Sequence, residues 1–352
     1  MGKIEIVGLG SGDLKQLPVG VYQKIMQHKD VFLRTKEHPV VAELEKEGLL
    51  FQSFDDYYEA EAEFESVYEK IAASLLHMAK ERDILYAVPG HPMVAEDSVS
   101  LLLNNKKGVA VTIEGGKSFI DDFFQAVSID PIDGFQLVDG LRFSPDRLDT
   151  GSHLIIMQVF DDLVAGEVKI TLMEQYPDEH PIALVDGAGT SQETVSWMPL
   201  YEMDHFTGVR NLQSVYVPPL EIEKRTKSFA TTQYLMDEIY NKDIWVQKQT
   251  HESLLPYLLE ETEEVAEAIR LEDSENLIEE LGDILLQVFY HAAFAESEGD
   301  FSMTDILETL NQKLRRRHPH VFSDYKVETI EDIDAMWQAI KKKEKEDDYE
   351  TR

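Results

Sequence analysis

Residues 258–292 read LLEETEEVAEAIRLEDSENLIEELGDILLQVFYHA. Apolar residues recur here with a helical period, and in the second half Leu277, Leu281, Ile284, Leu285, Val288, Phe289 and Ala292 make one stripe. Carboxylates crowd the same surface. Glu261 and Glu264, and again Glu280 and Asp283, are spaced i,i+3, so each pair shares a helix face and can aim at a common point. Glu280 and Asp283 border the apolar stripe rather than opposing it. The short polar connection RLEDSEN, with Asp273 or Ser274 as an N-cap, makes the two helices antiparallel neighbours.

Such a pair should repel itself. Residues 251–300 hold 15 Asp or Glu against a single Lys or Arg, Arg270. Two like charges ~4 Å apart near a protein surface repel by about 4 kcal/mol at an effective dielectric of about 20. Four converging carboxylates therefore take up protons or hold a cation. Oxygen-only ligands on a rigid frame suit hard divalent ions, Mg²⁺ above all where substrate phosphates complete the shell. Taken singly, each of these acids reads as an ordinary solvated side chain; the paired pairs are what point to a metal.

Outward from this stretch the chain changes character once. From Phe229 onward the patterned segments FATTQYLMDEIYN, HESLLPYLLEETEEVAEAIR, ENLIEELGDILLQVFYHAAFAES, TDILETLNQKLRRRH and DIDAMWQAIKKKEKE are all helical. The closing KKKEKEDDYETR reads as a helix fraying into a solvated tail. Before about residue 220, β-rich runs (KIEIVGLG, DVFLRT, DILYAVPG, VAVTIEGG, HLIIMQVF, PIALVDGAG) alternate with helical ones (LPVGVYQKIMQ, AEFESVYEKIAASLLHMAKE, AEDSVSLLLNN, KSFIDDFFQAV). That alternation predicts an α/β layered domain with a substantially parallel sheet. VYVPPLEIEKRTKSF reads as a last strand and a charged, proline-containing linker. The expectation is a multidomain chain, an α/β domain over 1–222 and an all-α helical domain over 223–352.

Composition narrows the function. The chain has 352 residues, more than one core usually spans. Its 33 basic and 68 acidic residues give a net charge of −35. Nucleic acid and anionic membrane are thereby disfavoured as partners, while small anions held through metal ions remain open. The absence of cysteine removes disulfides, zinc–thiolate sites, iron–sulfur clusters and cysteine nucleophiles. The start MGKIEIVGLGSGD has no apolar core of signal-peptide length, and no segment approaches the ~18 apolar residues of a membrane span. A cytoplasmic location is the expectation.

The helical region resembles the MazG-type nucleoside triphosphate pyrophosphohydrolases, all-α enzymes with an ExxE…ExxD signature. EETEEV carries Glu261 and Glu264, and EELGD carries Glu280 and Asp283. The likeness extends through WVQKQTHESLLPYLLEE, GDFSMTDIL and LNQKLRRRHPHVFSD, over roughly residues 228–345. It implies hydrolysis of a nucleoside triphosphate, including damaged or non-standard ones, to the monophosphate and diphosphate. It implies Mg²⁺, with Mn²⁺ as a substitute, on Glu261, Glu264, Glu280 and Asp283, and nucleotide binding by Lys313, Arg317, Trp337 and Lys341. Members are typically dimers or larger, and a short helical set gains by pairing its apolar stripes with another copy. Where the family often has Cys-Pro-Trp-Asp, this chain has DIWV, which keeps only Trp245. His318 and His320, around Pro319, read as a turn in preference to a metal pair.

At the other end, IEIVGLGSGDLKQLP spaces Gly8, Gly10 and Gly12 as GxGxG, not the GxGxxG of a dinucleotide fold. With AVPGHPMVAED, IEGGKSFIDDFF, LIIMQVFDD and LVDGAGTSQE it resembles the tetrapyrrole (corrin/porphyrin) methylases, which bind S-adenosylmethionine between two α/β lobes. That implies a cofactor cleft at Gly10, Pro89, Gly90, His91, Ser118, Phe119, Met157 and Ala188. Two departures stand out: His91 replaces the usual Asp, and LKQLP replaces the leucine–threonine ending of the first motif. The order of domains resembles the bacterial YabN-type fusion proteins. Three readings follow: a triphosphate pyrophosphohydrolase, a methyltransferase with an auxiliary helical domain, or a hydrolase whose first domain senses a ligand or dimerises.

Overall fold

KIEIVG forms strand β1 (Lys3–Gly8), buried on both faces from Ile4 onward, as expected of a strand covered by helices on each side. The computed structural model describes residues 2–350 apart from 62, 107, 146–147, 206–209 and 211, with side chains as far as 344. Helix α1 (Val19–Gln27), strand β2 (Val31–Leu33), α2 (Pro39–Lys46), β3 (Gln52–Ser53), α3 (Asp55–Ala60), α4 (Phe64–Met78), β4 (Ile84–Val88), α5 (Asp97–Asn104) and β5 (Ala110–Gly115) follow. The five strands form one sheet in the order β3-β2-β4-β1-β5, parallel throughout. One cluster of apolar side chains, with Ile71, Leu75 and Leu102, covers one face; another, with Ile25, Val40 and Leu44, covers the other.

A second lobe begins with α6 (Phe119–Val127) and continues through β6 (Phe135–Asp139), β7 (His153–Met157), α7 (Asp162–Met173), β8 (Pro181–Asp186), β9 (Thr194–Pro199) and β10 (Gln213–Val217). Its sheet runs β6-β7-β10-β8-β9. Here the expected parallel arrangement holds only for β6 with β7; the other three pairings are antiparallel. For β8 with β9 the chain length explains the difference. β8 and β9 are joined through residues 187–193, too few for the crossover that a parallel partner requires.

Contacts divide the chain into two units, Met1–Arg225 and Thr226–Arg352. The second consists of α8 (Phe229–Lys242), α9 (His251–Leu271), α10 (Ser274–Glu298), α11 (Met303–Arg317), the single turn α12 (Pro319–Phe322) and α13 (Ile330–Glu350). Thr250 caps α9 through a reciprocal pair of hydrogen bonds with Ser253, and Ser302 with Asp305 does the same for α11. The closing lysine- and acid-rich run stays helical to Glu350; residues 351–352 lie outside the described residues. Among the described residues no helix is long and apolar enough to cross a membrane.

Candidate functional site

The acids of the helical unit are brought together by a tight reversal. α9 ends on Glu272 in the left-handed conformation (φ 54°), and Asp273 then caps α10, its carboxylate accepting from the Asn276 amide at 3.1 Å. Two residues thus turn the chain back on itself. His291, late in α10, meets His251 at the start of α9, while Glu280, early in α10, meets Glu261 and Glu264 midway along α9. That crosswise register is antiparallel. One carboxylate oxygen from each of Glu261, Glu264 and Glu280 lies within 4.8 Å of the others.

Glu280 is 9% exposed, Glu261 is half-buried and Glu264 faces solvent. Burial, then the charges of Asp283, Glu264 and Glu280, push the Glu261 carboxyl above its ordinary value. Burial, then Glu264, Asp283 and Glu279, do the same to Glu280. Asp283 is outside the converging trio yet close enough to act on both. The site is thus an all-oxygen cluster short of positive charge, which fits a hard divalent cation and disfavours a soft one.

The basic and aromatic residues singled out by resemblance lie on α11 and α13. Arg317 is held by Glu344, its Nε 3.2 Å from Oε1 and its Nη2 2.7 Å from Oε2, and Arg316 Nε reaches the same Oε1 at 2.6 Å. These two guanidiniums drive the Glu344 carboxyl down to about 2. Trp337 donates from its indole nitrogen to the Arg317 carbonyl at 2.8 Å. Lys313 is one turn before Arg317, and Lys341 one turn after Trp337. Among the described residues no hydrogen bond or ion pair joins these four to the acids. His318 bonds through Nδ1 to the Leu314 carbonyl at 2.8 Å, and Pro319 opens the turn α12.

In the first unit, the loops after β1 and β4 meet through a pair of backbone bonds, Gly10 N to Gly90 O at 3.1 Å and Gly90 N to Gly10 O at 3.0 Å. Gly8 permits this approach: a Cβ there would stand 2.2 Å from the Gly90 carbonyl oxygen. Above them, at the carboxyl ends of the parallel strands, opens a cleft of about 550 Å³ between the lobes. Gly10, Pro89, Gly90, His91, Phe119, Met157 and Ala188 all line it. Ser118 does not. Its hydroxyl caps α6, accepting from the Ile120 amide at 3.2 Å. Ala95 and Gln158, two of the four non-glycine residues with positive φ among those described, also line the cleft. So do Arg34, His38, Glu96 and Gln213, which the sequence reading passed over. The signal for Arg34 and His38 was their position just past a buried strand, where ligand-binding residues of parallel sheets collect.

Comparison with known proteins agrees with this division. The family model described as MazG nucleotide pyrophosphohydrolase domain matches residues 249–322, and that of the tetrapyrrole (corrin/porphyrin) methylases matches residues 3–204. The protein YabN of Bacillus subtilis is 46% identical over 349 residues, 98% of this chain and 71% of that one. The nucleoside triphosphate pyrophosphohydrolase/pyrophosphatase MazG of Thermotoga maritima is 52% identical over 101 residues, 28% of this chain and 40% of its own length. Among solved structures, uroporphyrin-III-C-methyltransferase from Thermus thermophilus aligns with a TM-score of 0.49 at 21% identity, covering 62% of this chain and 94% of that one.

The raised carboxyls have a measurable consequence. A carboxyl with a higher pKa in the folded state binds protons more tightly folded than unfolded, so it adds stability as pH falls towards its ordinary 4.5 and costs stability above the raised value. Glu344 has the opposite sign: its contribution is present above 4.5 and fades as pH drops towards about 2. In metal-free buffer the helical unit should therefore gain thermal stability between neutral pH and about 4.5, where Glu344 still contributes. Glu264→Gln should raise its midpoint at neutral pH and flatten that rise. Calorimetry showing a variant midpoint at or below wild type would mean the three carboxylates do not repel one another.

Proposed function

This chain belongs to the family of two-domain proteins in which a tetrapyrrole methylase domain precedes a MazG nucleotide pyrophosphohydrolase domain, and on that premise we propose that its helical unit is a Mg²⁺-dependent nucleoside triphosphate pyrophosphohydrolase. The observation that carries the reading is the convergence of Glu261, Glu264 and Glu280 within 4.8 Å, with Asp283 beside them. These four carboxylates would hold the divalent ion. When bound, the ion would offset their charge, polarise the phosphate oxygens and stabilise the departing diphosphate. Water adds to the α-phosphorus, the α–β anhydride breaks, and the nucleotide leaves as its monophosphate. One carboxylate of the set accepts a hydrogen bond from that water and orients it. Lys313 and Arg317 would meet phosphate charge left uncovered, with Glu344 releasing Arg317 to do so, while Trp337 and Lys341 would contact the nucleotide. Non-standard triphosphates are the proposed physiological substrates. The matched stretch spans two fifths of the Thermotoga relative, so activity of the whole chain belongs to the proposal.

A second reading concerns the first unit. Seven of the eight residues expected from the methylase resemblance line a single cleft. That supports S-adenosylmethionine binding there and leaves methyl transfer or ligand sensing as its use.

A third element is self-association. Leu281 and Leu285, from the α10 stripe expected to be buried, are 51% and 43% exposed, and Leu255, Leu259, Leu310 and Leu314 are also exposed. An apolar surface of this extent is what a second copy would cover.

Three measurements test these readings. With Mg²⁺ and a panel of standard and non-standard triphosphates, the full chain should release diphosphate. Glu264→Ala and Asp283→Ala should each lose on the order of a hundredfold or more, given that even partners of metal ligands commonly cost 10–100-fold; normal turnover in both would remove the site assignment. S-adenosylhomocysteine should raise the unfolding midpoint of the first unit, and neither heat of binding nor protection would remove the cofactor from the scheme. Light scattering should give a dimer or larger species that Leu285→Glu shifts towards monomer. A monomeric wild type would leave the exposed leucines without this explanation.

A further inference from the structure

Four residues other than glycine have positive φ among those described. Two of them end helices: Ser128 closes α6 and Glu272 closes α9, the usual place for a left-handed residue. The other two, Ala95 (φ 50°) and Gln158 (φ 62°), end no helix, and both line the interlobe cleft. A left-handed residue that carries a side chain is strained, and such strain persists where the surroundings hold that side chain in place for a use. Ala95 brings only a methyl group. Gln158 brings a carboxamide.

That carboxamide is open. Among the described residues it has no hydrogen-bond partner, and neither of its polar atoms is among the buried, unpartnered ones, so solvent reaches it. Its neighbours define what it meets. Met157, the residue before it, lines the same cleft, and the pairing of Val215 with Ile156 sets Ser214 beside Met157. Ser214 shares the strand face of Tyr216, which clusters with Ala188 and Phe119. The Ser214 hydroxyl is likewise without a partner and reached by solvent. Phe119, Met157 and Ala188 thus give the second-lobe side of the cleft an apolar lining, and Gln158 adds a planar donor–acceptor pair to it. Within S-adenosylmethionine, adenine suits such a lining: the ring is flat, and its edge sets an amino donor next to ring-nitrogen acceptors. The amino-acid end carries full charges, which call for charged partners.

We propose that Gln158 sets the base specificity of the cleft: its Oε1 accepts from the 6-amino group of adenine and its Nε2 donates to the adjoining ring nitrogen, the bidentate pairing that glutamine makes with this base. The strained backbone is retained at a position glycine would occupy without strain, because glycine would bring no amide. This role rests on the S-adenosylmethionine reading of the cleft.

The test is calorimetric titration of the full chain with S-adenosylhomocysteine and with its analogue that has purine in place of adenine and so lacks the 6-amino group. Wild type should bind the adenine compound at least about fivefold tighter, the worth of one hydrogen bond. Gln158→Gly removes the amide and the strain together. It should raise the unfolding midpoint of the ligand-free chain, weaken S-adenosylhomocysteine about tenfold, and bind the two compounds alike. Gln158→Ala keeps the strained backbone; it should lose the discrimination without the gain in midpoint. A Gln158→Gly variant that still prefers adenine would overturn the proposal, and so would a wild type that binds the two compounds equally. A wild type that binds neither removes the cofactor from the cleft altogether, and the role of Gln158 falls with it.

Discussion

Like charges held together against their repulsion are the constraint on which the helical unit turns. α9 and α10 bring three carboxylate oxygens within 4.8 Å, and Arg270 is the single Lys or Arg on either helix. What holds the helices is apolar packing away from the acids. Ala268 is fully buried on α9, and Leu254 of α9 clusters with Phe294 of α10 and Val246, while Phe289 and Ala292 of α10 pack against Met236 of α8 and Met303 of α11. Small residues at those positions let the backbones approach, and the aromatic rings give the contact its area. At the far end the imidazoles of His251 and His291 stack with centroids 5.0 Å apart and rings 7° from parallel, against Phe294. The acids thus sit towards the loop end of a lever whose other end is clamped.

Positive charge in this unit is arranged with equal economy. Arg315, Arg316 and Arg317 occupy the last turn of α11, where the helix dipole favours cations. Glu344 then takes two of them, and the indole of Trp337 ties their backbone to α13. The same contacts that order α13 also occupy the guanidinium expected to meet phosphate. A phosphate group reaching Arg317 would have to displace Glu344 from it. Arg317 is in this way tied to the docking of α13.

Legibility in the sequence followed the strength of the local pattern. The two long helices carry a full helical period and a polar break, so their ends, antiparallel pairing and converging acids could be read directly; whether Asp273 or Ser274 caps α10 needed coordinates, because both side chains can do it. The parallel lobe was also readable, since β4 (ILYAV) is a continuous apolar run and β1 (KIEIVG), apolar but for Lys3 and Glu5, ends in glycine. Three strands escaped: β3 has two residues, β6 (FQLVD) has no long apolar run, and β9 (TVSWMP) is an edge strand closing on a proline. The predominance of antiparallel pairing in the second lobe escaped with them. That Ser118 caps α6 was not legible either, because a hydroxyl before a helix serves a cap as readily as a ligand. The exposure of Leu281 and Leu285 could not be seen either, because an apolar stripe looks the same whether its partner is the same chain or another copy.

The two sites carry unrelieved cost of different kinds, and the difference bears on what each can bind. Around Glu264 the cost is excess charge near solvent; it is screened, it varies with pH, and any sufficiently charged cation relieves it in part. Around Arg34 and His38 the cost is unpaired polar atoms, Arg34 Nε and His38 Nδ1, that solvent does not reach; salt does not touch it. The first arrangement is one of charge and coordination, which a hard, oxygen-bound cation meets. The second is one of hydrogen-bond polarity. One chain therefore carries an electrostatic cost in its helical unit and a hydrogen-bonding cost in its α/β unit.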